Sequence, residues 1–345
     1  MNSVTDKEKV KCLVWDLDNT LWEGILLEEE VRLRDSVADI LMELDQRGII
    51  QSIASRNTHE TAMDELNRFG VGKYFLYPQI GYGLKSGAIA NIAASLNISV
   101  RHMAFIDDQA FEREEVSYHH PEIMCIDAAD LHNLLEMDRL IPGSLTEESR
   151  NRRQMYLDDM ERSAFGTGFK GTQEEFQKTL EMKLALFPPS GENDMERIAE
   201  LSRRVNQMNS NGQSYSVKQL YEMRDSGRYD MYTARFSDRF GDYGIVGFAL
   251  VHRDTGHWNI EAFAISCRVM QRGVWSVFLN YIVKKAKLSN VEITAEYRPN
   301  DMSRYMYISY KFLGFTEKSA ENGLILFEYR HPHTQAFPDN ITIID

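Results

Sequence analysis

The chain has 345 residues, with 52 acidic and 39 basic side chains and a formal charge of −13 at pH 7. That charge argues against a general nucleic-acid binder, whose affinity rests on surplus Lys and Arg at phosphates, and against an exposed membrane-surface role. Apolar residues at 43%, aromatics at 11% and only 8 prolines describe a globular protein long enough for two domains of ordinary size.

No run of about 18 apolar residues occurs and the first residues are polar, so neither a transmembrane helix nor a signal peptide is expected, and a cytoplasmic location is. Cys12, Cys125 and Cys267 are widely spaced and form no CxxC pair, so neither a disulfide framework nor a zinc site is expected.

Strand and helix signals alternate through the first part of the chain. The strand VKCLVWD ends in Asp16; a helix from about Asp35 to Arg47 closes at Gly48; the strand IIQSIAS ends in Ser55. A helix runs from Thr58 to Gly70, another from about Ser86 to Leu96, then come the strand HMAFID, a short helix and the strand EIMCIDA. This βαβα order predicts a parallel sheet covered on both faces, in a domain over 8–135. Residues 136–190 read as a polar helical connector ended by Pro188, Pro189 and Gly191. An α+β domain over 191–345 is expected beyond it. It begins with the helix MERIAELSRRVNQM, continues through strands around YTARFSD, YGIVGFALVH and WNIEAFAISCRV, and has a helix from about Gly273 to Lys287. The strand VEITAEY, a helix around YMYISYKFL and the strand LILFEY close it.

In open α/β sheets, ligands collect at the carboxyl ends of the strands. Asp16, Ser55 and Asp107 with Asp108 stand at three such ends, and Asp16 and Asp18 open the string DLDNTLW. That string resembles the first motif of the haloacid-dehalogenase-like phosphatases. Ser55, Lys85 and the pair Asp107 and Asp108 match the later motifs in order, over residues 9 to 130. The resemblance implies a Rossmann-like fold with a minimal cap, since one helix lies between Asp16 and Ser55 and one between Ser55 and Lys85. It implies that Asp16 attacks phosphorus and that Asp18 serves as general acid and base. Mg²⁺ would be held by Asp16, the carbonyl of Asp18 and Asp107, with Ser55 and Lys85 binding the phosphoryl group. A plainer reading has Asp108 and Asn57 capping the helices that follow them.

Residues 262 to 291 carry Arg268, Arg272, Lys284, Lys285 and Lys287 but no acid, a positive island in an acidic chain. The order strand, RVMQRG loop and helix resembles the acyl-CoA-binding acetyltransferase (GNAT) fold, as does the later Asn300 followed by YKFLGF. Gln271 replaces the first loop glycine of that pattern, while Gly273 is kept. A pantetheine site at Arg268, Gln271, Arg272 and Gly273 is implied, with Cys267 before the loop. Nearby cations and a helix N-terminus would favour its thiolate. Cys12 and Cys125 read as small buried hydrophobes.

The whole combination, from DLDNTLWEG through DRFGDYGIVG to ISCRVMQRGV, resembles the FkbH-like glyceryl transferase/phosphatases of polyketide pathways. The resemblance implies that the glyceryl unit of 1,3-bisphosphoglycerate is dephosphorylated, held on Cys267 and delivered to the phosphopantetheine thiol of an acyl carrier protein. Asp242 and Tyr243 are candidates to orient the acyl group or the carrier arm and His257 a candidate base for the incoming thiol, although Asp242 and His257 sit in turn-like segments and His257 reads better as structural. Two other readings remain: a Mg²⁺ phosphatase with a C-terminal recognition module, and a non-catalytic carrier-docking protein.

Overall fold

A computed structural model describes residues 9–143, 145–300 and 302–344. The chain forms two compact units, 1–157 and 158–345.

The first unit opens with β1 (Cys12–Trp15), every residue of it buried, followed by a ribbon of β2 (Trp22–Glu23) and β3 (Arg32–Leu33) and by α1 (Val37–Gln46). Next come β4 (Ile50–Ser55), α2 (His59–Arg68), β5 (Gln79–Ile80) and α3 (Lys85–Leu96). β6 (Met103–Asp107), α4 (Ala110–His119), β7 (Met124–Asp127) and α5 (Glu147–Arg150) complete the series. The five-stranded sheet has the order β5-β4-β1-β6-β7 and is parallel throughout. Separate apolar clusters pack on its two faces, which is why β1, β4 and β6 are buried along their full length. From β1 the chain winds first through β4 and β5, then crosses to β6 on the other side. That reversal makes a crevice at the carboxyl end of β1. The expected parallel sheet and small cap are both present.

Helix α6 (Arg152–Gly168) contains the division between the units. The second unit then has α7 (Gln173–Thr179), β8 (Met182–Phe187), α8 (Glu192–Arg204) and α9 (Val217–Asp225). β9 (Tyr229–Asp238), β10 (Gly241–Asp254), β11 (His257–Ile265), α10 (Val274–Leu288) and β12 (Glu292–Tyr297) follow. α11 (Arg304–Leu313), β13 (Phe315–Glu321), β14 (Leu324–Tyr329) and β15 (Ile341–Ile344) end the chain. Its eight-stranded mixed sheet is ordered β13-β14-β12-β11-β10-β9-β8-β15.

β11 and β12 run parallel but pair only from His257 to Ile260. Beyond Ile260 the edge of β11 is taken by the chain's own segment 208–210. Ile265 N donates to Met208 O at 2.9 Å and Ser210 N to Phe263 O at 2.9 Å, while Arg298 N, past β12, donates to Ser210 O at 2.8 Å. α8 stops at Arg204, short of the expected helix end at Met208, to supply this segment.

The expected connector over 136–190 is divided between the two units, and it is not helical to its end. Met182, Leu184 and Leu186 are buried while Lys183 between them is exposed, a period of two that makes β8 part of the sheet. The expected strand through Val269 also ends early, at Ile265, and Cys267–Arg272 form a 3₁₀ turn. We expect Leu184→Ala to lower the unfolding free energy of the second unit by about 2–5 kcal/mol. Lys183→Ala should change it by less than about 0.5 kcal/mol. Equal effects in urea titrations would refute the strand assignment.

Candidate active site

Strand ends bring the first cluster together. Asp16 follows β1, with its N–H on Ile106 O of β6 at 3.0 Å; Ser55 ends β4; Asp107 ends β6; Lys85 opens α3. All four side chains are buried. Lys85 Nζ donates to Asp16 Oδ1 at 2.7 Å and to Asp107 Oδ2 at 2.5 Å, so a residue 69 positions from Asp16 sits between two carboxylates.

The charges do not balance. Burial pushes the Asp16 carboxyl up to about 7, with the Asp107 charge adding to the rise and Lys85 opposing it. Burial alone would lower Lys85, but two carboxylates outweigh it and hold the ammonium above its ordinary value. One ammonium serves two carboxylates, so the lysine gains from both while Asp16 shares it with Asp107. Asp108 is also raised, by burial and then by Asp107.

Carboxylate oxygens of Asp16, Asp107 and Asp108 lie within 4.8 Å of one another. Asp108 Oδ1 is buried without a hydrogen-bond partner. An oxygen-only set with surplus negative charge and an unsatisfied buried acceptor fits a hard divalent cation such as Mg²⁺. The Asp18 side chain is outside this group. Its Oδ1 accepts from Trp22 Nε1 at 2.8 Å and Leu26 N at 3.1 Å, and its Oδ2 accepts from Asn57 Nδ2 at 2.9 Å. Asp108, for which helix capping was the plainer alternative to the motif match, lies among the clustered acids, and its N–H donates to Thr20 Oγ1 at 3.0 Å. Asn57 does not cap α2, whose N-cap residue is Thr58.

Helix α4 aligns these parts, which the sequence reading missed. Its Glu115 accepts from Ser86 N at 3.1 Å and from Ser86 Oγ, and His120 Nε2 meets Ser86 O at 2.9 Å, fixing the start of α3 and with it Lys85. Arg113 Nη1 donates to Asp107 O at 2.8 Å, and Glu112, itself buried, pairs with Arg56 at 3.0 Å, next to Ser55. Two signals were present: three acids in FEREEV on a helix that must pack, and Trp22, whose indole N–H needs an acceptor once buried.

In the second unit Cys267 is exposed at the start of the turn after β11. Cys12 is buried and its thiol pushed up by desolvation; burial raises Cys125 to about 11. Arg272 is committed to a knot of charges. It pairs with Asp159 and Asp238 at 3.2 Å each, and Arg162 pairs with the same two acids, reaching Asp238 Oδ2 at 2.7 Å. Tyr243 donates to Asp159 Oδ1 at 2.7 Å, and the guanidinium groups of Arg162, Arg268 and Arg272 lie 5.0, 5.8 and 5.5 Å from its ring centre. The positive island therefore loses Arg272 to acids that stand far from it in sequence. Gln271 is exposed in the same turn, and Gly273 adopts φ +73° at the start of α10. Asp242 is half-exposed and ion-paired to Arg235 at 2.8 Å. His257 hydrogen-bonds Thr294 Oγ1 at 2.9 Å at the opposite end of β11. Nine residues of strand separate it from the Cys267 end, on the order of 25 Å, so it is structural and not a base for Cys267.

No protein-family model matches this chain, and no curated protein matches it either. Solved structures do. The N-terminal part of BF1531 from Bacteroides fragilis, containing a phosphatase domain complexed with Mg, is 26% identical over 39% of this chain and 41% of that one, with a TM-score of 0.36. The ribosomal-protein-S18-alanine N-acetyltransferase of Escherichia coli is 12% identical over 45% of this chain and 99% of that one, with a TM-score of 0.34. Arabidopsis thaliana NAA60, in complex with a bisubstrate analogue, is 16% identical over 42% and 97%, also with a TM-score of 0.34. Among the described residues, no helix is long and apolar enough to cross a membrane.

The raised Asp16 has a measurable consequence. Its folded value lies above the ordinary aspartate value of 3.8, so the folded state holds the extra proton and the metal-free protein loses stability as pH rises from about 4 to about 7. A cation competes with that proton. We expect millimolar Mg²⁺ to raise the melting temperature more at pH 8 than at pH 5.5, and Asp107→Ala to abolish the difference. A Mg²⁺ shift independent of pH would refute the shared site.

Proposed function

We propose that this protein removes phosphate from a phosphomonoester at the Asp16 site and carries an acyl group as a thioester on Cys267 before passing it to a thiol acceptor. The observation that carries the first half is the convergence of Asp16, Asp107 and Asp108, at the ends of the adjacent strands β1 and β6, with Lys85 at the start of α3, and with Asp18 fixed by three donors. Asp16 attacks phosphorus while the bond from phosphorus to the leaving oxygen breaks, and Asp18 gives that oxygen its proton. A water then attacks the aspartyl phosphate as Asp18 takes its proton, which restores both carboxyl groups. Lys85 orients Asp16 through Oδ1, and Ser55 would donate to the transferring group. A bound Mg²⁺, held by Asp16, Asp107 and Asp108, would offset the repulsion between carboxylates and phosphoryl oxygens.

Cys267 supports the second half by its exposure at a turn held by the knot of Arg162, Arg272, Asp159 and Asp238. The resemblance to FkbH-like enzymes supplies the substrate: the glyceryl unit of 1,3-bisphosphoglycerate, whose acyl phosphate is open to thiolate attack and whose phosphomonoester suits Asp16. An acyl carrier protein would be the acceptor. With the β11 edge occupied by 208–210, its pantetheine arm would reach Cys267 from solvent, past Arg268 and Gln271, and not by pairing with β11. That same occupied edge favours a second reading, a Mg²⁺ phosphatase whose C-terminal unit recognises substrate.

Intact-protein mass spectrometry after incubation with 1,3-bisphosphoglycerate and Mg²⁺ separates the two. The first reading requires a glyceryl adduct that is absent in Cys267→Ala and moves to added carrier protein. Phosphate release without any adduct would leave only the second. Asp16→Asn should lower phosphate release by at least about 10³-fold in either case, and retained release would refute the nucleophile.

A further inference from the structure

Asn57 occupies a position that none of the roles above uses. Its side chain is 1% exposed, and its amide nitrogen donates both to Asp18 Oδ2 at 2.9 Å and to Ser55 Oγ at 3.3 Å. Its carbonyl oxygen is buried with no partner. Burying an unpaired carbonyl is unfavourable, so the orientation of this amide answers the needs of Asp18 and Ser55 and not its own. Reversing it would set the amide oxygen against a carboxylate oxygen.

The geometry of Asp18 shows what is at stake. Oδ1 is taken by Trp22 Nε1 and Leu26 N, which leaves Oδ2 as the atom with capacity to exchange a proton. Asn57 is the group bonded to that atom, and it ties it to the hydroxyl at the end of β4. We infer that Asn57 is a positioning residue that aims Asp18 Oδ2 at the leaving-group oxygen and couples it to Ser55. The inference rests on the phosphatase reading and deepens it. During cleavage the phosphorus–oxygen bond breaks, its electron pair stays on the leaving oxygen, and the proton on Oδ2 moves to that oxygen. An alkoxide needs that proton, whereas p-nitrophenolate leaves without it.

This difference gives a test that a merely structural residue would fail. Hydrolysis of glycerol phosphate and of p-nitrophenyl phosphate is compared in the full chain with Mg²⁺, in wild type and in Asn57→Ala. We expect kcat/KM, which reports the steps up to phosphoryl transfer onto Asp16 and not the later hydrolysis common to both esters, to fall about 100-fold on the alkyl ester and less than about five-fold on the aryl ester. Equal losses on both esters overturn the inference. Should Asn57→Ala fail to fold, Asn57→Ser is read by the same ratio, since the aryl ester itself reports an intact site.

A second measurement needs no turnover. The side-chain amide signal of Asn57 in a ¹⁵N spectrum, identified by its loss in Asn57→Ser, should exchange with solvent much faster in Asp18→Ala than in wild type. An unchanged signal overturns the proposed contact. Wild-type protein inactive on both esters would instead refute the phosphatase reading, and the amide signal would then decide the contact alone.

Discussion

The ammonium of Lys85 lies between two buried carboxylates, and the geometry of the first unit answers to that arrangement. Asp107 is fully buried and Asp16 nearly so, and buried charges are costly unless they are paired. Removing one partner of a buried pair costs on the order of 3–5 kcal/mol because a charge is left uncompensated. The start of α3 must therefore stay put, and α4 holds it there through Glu115 and His120 on Ser86. The same helix holds the other side of the bridge through Arg113 on the carbonyl of Asp107. α4 is thus a brace for the site as well as a cover for the sheet.

Much of this was readable in the sequence because the first unit is local in design. A parallel strand buried on both faces reads as an apolar run, and the residue that ends the run stands at the sheet edge where ligands gather. Asp16, Ser55 and Asp107 were placed by that rule alone. What the sequence did not disclose were the contacts that depend on which loops meet. Nothing in the spacing of Asp18, Trp22, Leu26 and Asn57 says that three donors converge on one carboxylate. Asp108 and Asn57 both sit just before a helix, and each was as well suited to capping it.

The second unit was less legible for the same reason, magnified by distance along the chain. β8 and β15 pair across more than 150 residues, and the alternation in MKLALF is short enough to be lost between helical segments. The acids that neutralise Arg272 stand 113 and 34 residues before it. A window of 30 residues around Arg272 shows only cations, whereas the folded unit sets Arg272 against Asp159 and Asp238 beside Tyr243. Likewise, nothing in VNQMNSN announces a segment that leaves its helix to pair with the edge of β11.

Net charge was therefore informative only at the scale of the site. In the first unit three clustered carboxylates face one ammonium, a formal deficit of two positive charges that a divalent cation would fill. In the second unit Arg162 and Arg272 meet Asp159 and Asp238, two charges against two. An unbalanced buried cluster is costly unless something binds it, whereas a balanced one serves as scaffold for whatever stands beside it. The Cys267 thiol is exposed at the start of the turn that ends in Arg272. The two charge patterns thus differ in what they leave open: the first keeps negative charge that a divalent cation would offset, and the second pairs its arginines with acids of the same unit.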